Sequence, residues 1–152
     1  MDTDAMKAEL FGTLFILANR LQVLGDLLDS SVSTKQWLLL AVLLKCPKQQ
    51  STLSNLASQM GTSRQNVKKM AQILEQRGFL KLQRPASDKR SVVLSPTQAC
   101  LDHLTARFPL EQQFIEQFFQ GFAYEQLEEL HRGFGRWMHN LMEMETGNAR
   151  EE

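Results

Sequence analysis

Cysteine is scarce in this chain, and the two present, Cys46 and Cys100, are too few for a disulfide framework and fit a reducing compartment. Histidine is nearly as rare. His103, His131 and His139 stand in no His-Glu-x-x-His, Gly-x-Ser-x-Gly or phosphate-loop context, so no catalytic constellation is recognisable and a non-enzyme is expected. Glu128 with His131, and Cys100 with His103, each place two metal-ligating residue types on one helical face. A pair is half a site, so no metal and no cofactor is expected. Long hydrophobic runs are missing too: Trp37 to Leu44 is too short to span a bilayer, and no charged-then-apolar leader opens the chain. The expectation is a soluble, cytoplasmic protein without a membrane partner. Neither sign of charge dominates, with 17 basic and 17 acidic residues, which argues against a protein that coats nucleic acid indiscriminately. Without repeats, low-complexity runs or linkers, 152 residues of 43% hydrophobic content predict a single domain, 1–152, with Thr146 to Glu152 as a solvated tail.

The neutral total hides an uneven distribution. From Gly61 to Arg90 eight basic residues face two acidic ones, a local charge of +6, which leaves −6 on the remainder. A basic head on an acidic body favours docking through one face. In the same stretch, Leu56-Ala57-x3-Gly61-x5-Val67-x2-Met70 has the spacing of a helix-turn-helix, with a small residue at the helix crossing and glycine in the turn. Val67, Met70, Ala71 and Leu74 form one apolar stripe at i, i+3, i+4 and i+7. Gln65, Lys68, Lys69 and Gln72 fill the opposite arc, with Arg64 at its edge: long amide or cationic side chains suited to base edges and phosphates. A solvated amphipathic helix would show the same arc, and the surrounding charge favours the DNA-reading one. Gln65, Lys69 and Gln72 are the candidates for bases, and Arg64 and Lys68 for phosphates. Thr62-Ser63-Arg64-Gln65 also fits a capping box that would turn the Gln65 amide onto the backbone.

A hairpin follows. Phe79 to Arg84 and Ser91 to Ser95 are short and partly alternating, with Leu80 and Leu82 opposite Lys81 and Gln83, and Pro85-Ala86-Ser87-Asp88 supplies the turn. A two-stranded ribbon directly after a recognition helix is a wing. Arg90 is its candidate for the minor groove, where a narrow groove concentrates negative potential, with Arg84 and Lys89 beside it and Asp88 to orient an arginine. The candidate DNA-binding set is thus Ser63, Arg64, Gln65, Lys68, Lys69, Gln72, Arg84, Asp88, Lys89 and Arg90.

In chain order, Val32-Ser33-Thr34-Lys35-Gln36-Trp37-x2-Leu40, Thr52-Leu53-Ser54-x-Leu56-Ala57, Ser63-Arg64-Gln65-x-Val67, Leu74-Glu75-x2-Gly78-Phe79-Leu80, Asp88-x-Arg90 and Leu94-Ser95-Pro96 resemble the successive signatures of the MarR (multiple antibiotic resistance regulator) family. The likeness runs from about Ser33 to Pro96. It implies a homodimeric winged-helix repressor on pseudo-palindromic operator DNA, modulated by a small ligand, or a redox- or metal-responsive regulator of the same fold. The family's peroxide sensors tend to place their reactive cysteine near the N-terminus, and this chain has none before Cys46. Where the family commonly has Leu-Thr-x-x-Gly after the wing, this chain has Leu94-Ser95-Pro96-Thr97-Gln98, a change that bears on the start of the next helix.

The rest of the chain predicts helices: a mainly α protein with a small two-stranded wing, the winged unit at about 33–96, and dimerisation helices at 4–28 and 97–146. Asp4 to Leu28 carries Leu10, Leu14, Leu17, Leu21, Leu24 and Leu28, widened by Phe11, Phe15 and Ala18. Ser33 with Gln36 forms a capping-box pattern ahead of a buried helix ending near Pro47. Pro96 suits the first turn of a later helix, and Pro109 should interrupt or kink the aromatic segment Phe108 to Phe122. Leu127, Leu130, Phe134, Trp137, Met138, Leu141 and Met142 stripe a last helix. A winged unit of about sixty residues cannot cover these faces, so Leu10, Leu14, Leu17, Leu21, Phe118, Phe122, Phe134, Trp137 and Leu141 are candidates for a homodimer interface. The Phe and Met stripe could instead line a cofactor box, but such stripes are usually core.

Overall fold

The structure is a computed structural model, which describes residues 2–148. Among the described residues it has six helices and a three-stranded antiparallel sheet. The first compact unit, residues 1–111, holds the hydrophobic core.

Helix α1, Thr3–Asp26, opens where the Asp2 carboxylate accepts the Ala5 N–H at 2.7 Å. Helix α2, Thr34–Lys45, begins with the expected capping box: Ser33 Oγ accepts from the Gln36 N–H, and Gln36 Oε1 from the Ser33 N–H at 3.0 Å. Its buried face, Leu39, Leu40 and Leu43, is the centre of the core. A 3-10 turn, Pro47–Gln49, leads to strand β1, Ser51–Thr52.

Helix α3, Leu53–Met60, and helix α4, Arg64–Gln76, form the helix-turn-helix. Gly61 closes α3 in the left-handed region (φ 64°, ψ 36°), where a Cβ is disfavoured, and the Thr62 N–H reaches the Ala57 carbonyl at 3.0 Å. Leu56 and Ala57 from α3 are buried with Val67, Ala71 and Leu74 from α4, as the periodicity predicts.

Strands β2, Leu80–Gln83, and β3, Val93–Pro96, form the wing. The sheet order is β1-β3-β2, so the expected two-stranded ribbon gains a third strand: Ser51 pairs with Leu94 and Thr52 with Val93. Two residues are too few to display a period-two pattern, which is why the sequence does not reveal β1. Leu80 is buried and Lys81 and Gln83 are exposed, the alternation expected.

Helix α5, Gln98–Phe118, corrects two expectations. Pro96 ends β3, paired with Leu80, at a strand end where its missing N–H is tolerated. Thr97 takes the capping role instead, its Oγ1 accepting from the Cys100 N–H at 3.2 Å. The helix also continues through Pro109, so the proline does not interrupt it.

The second unit, residues 112–152, contains the end of α5, a turn through Gly121, and helix α6, Tyr124–Asn148. Phe118 and Phe119 meet edge to face at 4.8 Å, as do Phe134 and Trp137 at 5.4 Å. None of the described residues of α6 is buried within the protomer. Of the expected solvated tail, Thr146 to Asn148 belong to α6, and 149–152 lie outside the described residues. No described helix is long and apolar enough to cross a membrane.

Candidate nucleic-acid interface

Burying Val67, Ala71 and Leu74 fixes the rotation of α4 and turns Arg64, Gln65, Lys68, Lys69 and Gln72 outward, all exposed. The N-terminus of α4 is capped by Ser63, whose Oγ accepts from the Asn66 N–H at 3.1 Å. Asn66 Nδ2 donates to Thr62 Oγ1 at 3.2 Å. The capping box considered for Thr62 and Gln65 is therefore not formed: the cap is Ser63, one residue later, the Asn66 side chain bonds the Thr62 hydroxyl, and the Gln65 amide stays on the exposed arc. The Ser63 hydroxyl is engaged by its own helix.

The wing lies beside this arc because β3 pairs with β1, which runs directly into α3, and the Leu53 N–H bonds the Val92 carbonyl at 3.2 Å. Between α4 and the wing is an open cleft of about 420 Å³, lined by Leu53, Arg64, Gln65, Lys68, Arg84, Arg90 and Val92. A second depression, about 260 Å³, adds Gln72 and Leu82 to Leu53, Lys68, Arg84 and Val92. Four cations thus converge over an apolar floor. Lys69, Ser63, Asp88 and Lys89 line neither hollow.

Among the described residues Asp88 holds no arginine side chain. Its Oδ1 accepts the Arg90 backbone N–H at 2.9 Å and its Oδ2 the Ser91 hydroxyl at 2.6 Å, shaping the wing turn. The Ser91 hydroxyl and then the Arg90 N–H keep its carboxyl below the ordinary value. Two charges of the basic segment serve the fold: Arg77 Nη1 donates to the Ser31 carbonyl, and Glu75 Oε1 accepts the Leu82 N–H at 3.2 Å.

Sequence reasoning missed one polar cluster. His103 Nε2 lies 2.6 Å and Arg107 Nη1 3.0 Å from Asp29 Oδ2, and the His103 ring packs on Phe79 with centroids 4.9 Å apart. The available signal was His103, Arg107 and Glu111 at i, i+4 and i+8, a titratable stripe along one helical face.

A three-helix core, a recognition helix capped by Ser63 and a cationic wing across one cleft define a winged helix-turn-helix protein. The family model described as MarR family matches residues 32–92, and solved regulators share the fold around that segment. The chain is similar to a MarR/EmrR family transcriptional regulator from Acinetobacter sp. ADP1, at 13% identity and a TM-score of 0.79 over 91% of this chain and 98% of that one. BpsR from Bordetella bronchiseptica, whose DNA binding is regulated by 6-hydroxynicotinic acid, is similar at 16% identity and a TM-score of 0.72, covering 84% and 91%. Reduced AbfR, solved bound to DNA, is similar at 17% identity and a TM-score of 0.71, covering 93% and 99%. No curated protein sequence matches the chain significantly.

Proposed function

We propose that the protein is a sequence-specific transcriptional regulator, a homodimeric cytoplasmic repressor on pseudo-palindromic double-stranded operators, with a small-molecule effector modulating its grip. The observation that carries this reading is the single cleft shared by Arg64, Gln65 and Lys68 of α4 with Arg84 and Arg90 of the wing. With α4 in the major groove, Gln65, Lys69 and Gln72 would read base edges, while Arg64, Lys68 and the wing cations Arg84, Lys89 and Arg90 neutralise backbone phosphates. Ser63 and Asp88 act by shaping the backbone that presents these side chains.

Two copies about a two-fold axis would set their recognition helices about 34 Å apart and read an inverted repeat. The exposed apolar side chains Leu10 and Leu17 on α1, with Phe118, Phe122, Phe134, Trp137 and Leu141, supply faces for such a dimer, and Leu14 and Leu21 border them half-buried. The relatives that bind DNA or answer to a small aromatic acid support the operator and effector parts. Oxidant control is disfavoured: both cysteines are buried, and burial pushes the Cys100 thiol up to about 11, leaving little thiolate. Metal control has no ready site, since the described residues contain no group of three or more His, Cys, Asp or Glu placed to hold an ion.

The test is selection from a randomised duplex pool followed by footprinting. Enriched sequences with dyad symmetry are expected, and a pool that returns no enrichment would sink the proposal.

A further inference from the structure

Helices α2, α4 and α5 all meet at the turn between α1 and α2. Asp29 Oδ1 accepts the Ser31 N–H at 2.7 Å and closes the turn. Asp29 Oδ2 faces α5, receiving His103 Nε2 at 2.6 Å and Arg107 Nη1 at 3.0 Å. Arg107 is itself buried, and its Nε pairs with Glu111 Oε1 at 2.7 Å. From the other side, Arg77 at the carboxyl end of α4 donates to the Ser31 carbonyl and, at 3.3 Å, to Gln36 Oε1, the buried capping residue of α2. Phe79, three residues past α4, rests on the His103 ring.

We propose that Asp29 is a positioning residue for the recognition surface: the turn it closes holds the carboxyl end of α4 through Arg77 while its carboxylate holds α5 through His103 and Arg107. Hydrogen-bonded charges in a poorly hydrated site resist rearrangement, because losing one partner leaves the others unpaired. Core packing sets the rotation of α4, and this ionic hub sets where its far end lies relative to α5. A shift there would carry Gln65, Lys69 and Gln72 away from their bases and affect phosphate contacts less, since phosphates tolerate a range of approach geometries. The inference rests on the DNA-binding reading.

The experiment compares Asp29→Asn, Arg77→Ala, Arg77→Lys and the Asp29→Asn/Arg77→Ala pair with wild type, on a duplex that wild type selects and on a scrambled version. Asp29→Asn and Arg77→Ala should each lower the selected-to-scrambled affinity ratio about tenfold, leaving scrambled-DNA affinity within about twofold. The pair should fall no further than the stronger single change, because both act through one turn, and Arg77→Lys, which keeps a donor at the Ser31 carbonyl, should retain most of the ratio. Unchanged ratios, or single losses that multiply in the pair, overturn the proposal. If wild type selects no sequence, the DNA-binding reading falls with it. If Asp29→Asn does not fold, the contrast between alanine and lysine at the exposed Arg77 decides alone.

Discussion

Gly25 in the last turn of α1 lies directly against the side chain of Thr34, the first residue of α2; a Cβ on Gly25 would overlap Thr34 Oγ1. The same hydroxyl donates to the Gln22 carbonyl at 3.1 Å, and the Thr34 N–H reaches Asp26 Oδ1 at 2.7 Å. The two helices are thus locked end to end at van der Waals distance. Alanine in a helix interior ordinarily stabilises by about 1 kcal/mol relative to glycine. Here the clash should reverse that sign, and Gly25→Ala is expected to destabilise by about 1–3 kcal/mol in chemical denaturation, the range for overpacking. Thr34→Ala in the same chain should recover part of the loss.

Arg90 stands at the wing side of the cleft, its backbone N–H held by Asp88. A cation that meets phosphate or a narrow groove adds affinity without choosing a sequence. Arg90→Ala should therefore weaken selected and scrambled duplexes alike and reduce the slope of log affinity against log salt by about one. Titrations over a salt series measure both, and unchanged affinity would refute the wing assignment.

Lys69 is on the exposed arc of α4 and lines neither hollow beside the wing, and in the proposed reading it meets base edges on the groove floor. Lys69→Ala should change the preferred sequence at one position per half-site, with a discrimination loss of about 1–3 kcal/mol. Reselection from a randomised pool by the variant reads this directly. The same consensus as wild type would move Lys69 to the phosphate-binding group.

What the sequence made legible, and what it did not, follows the range of each interaction. The helix-turn-helix was readable because Leu56, Ala57, Val67, Ala71 and Leu74 express their burial at a local period, and the Ser33–Gln36 box because capping is local. The α4 cap was misplaced by one residue, since Thr62 and Ser63 are both competent caps and only backbone geometry chooses between them. Strand β1 leaves no local trace because it is two residues long and its partner β3 lies about forty residues away. Asp29 was missed for the same reason, its partners His103 and Arg107 lying 74 and 78 residues on.

Asp29 should also mark the acid limb of the stability curve. Burial alone would raise its carboxyl, but the His103 and Ser31 hydrogen bonds and the charges of His103 and Arg107 outweigh it, and the group sits below the ordinary 3.8. A carboxylate with a lower folded than unfolded pKa contributes stability above the unfolded value. That contribution is lost as pH falls through the folded value, so the loss should develop in the acid range below about pH 5. Denaturation midpoints measured across that window should fall more steeply for wild type than for Asp29→Asn, which has no carboxyl to protonate. Parallel curves would show that the pairing around Asp29 carries no pH dependence.

In a single protomer Leu17 of α1 is 41% exposed and Phe134 and Leu141 of α6 are 49% and 52% exposed. They belong to apolar stripes that the described residues of their own units cover only in part, and water-exposed apolar surface of this extent favours association. If those stripes are the dimer contact, a carboxylate introduced there must be desolvated without a partner, which costs several kcal/mol, more than most interface side chains contribute. Leu17→Glu and Leu141→Glu should each raise the dimer dissociation constant by at least about a hundredfold, a shift that sedimentation at micromolar protein resolves. Helix content should persist, because both positions are exposed in the protomer and glutamate is a good helix former. Operator affinity should fall with the dimer population, since a lone winged unit reads only half of an inverted repeat. A variant that keeps the wild-type mass distribution would exclude its stripe from the contact, and if both did so the dimer would have to form through another surface.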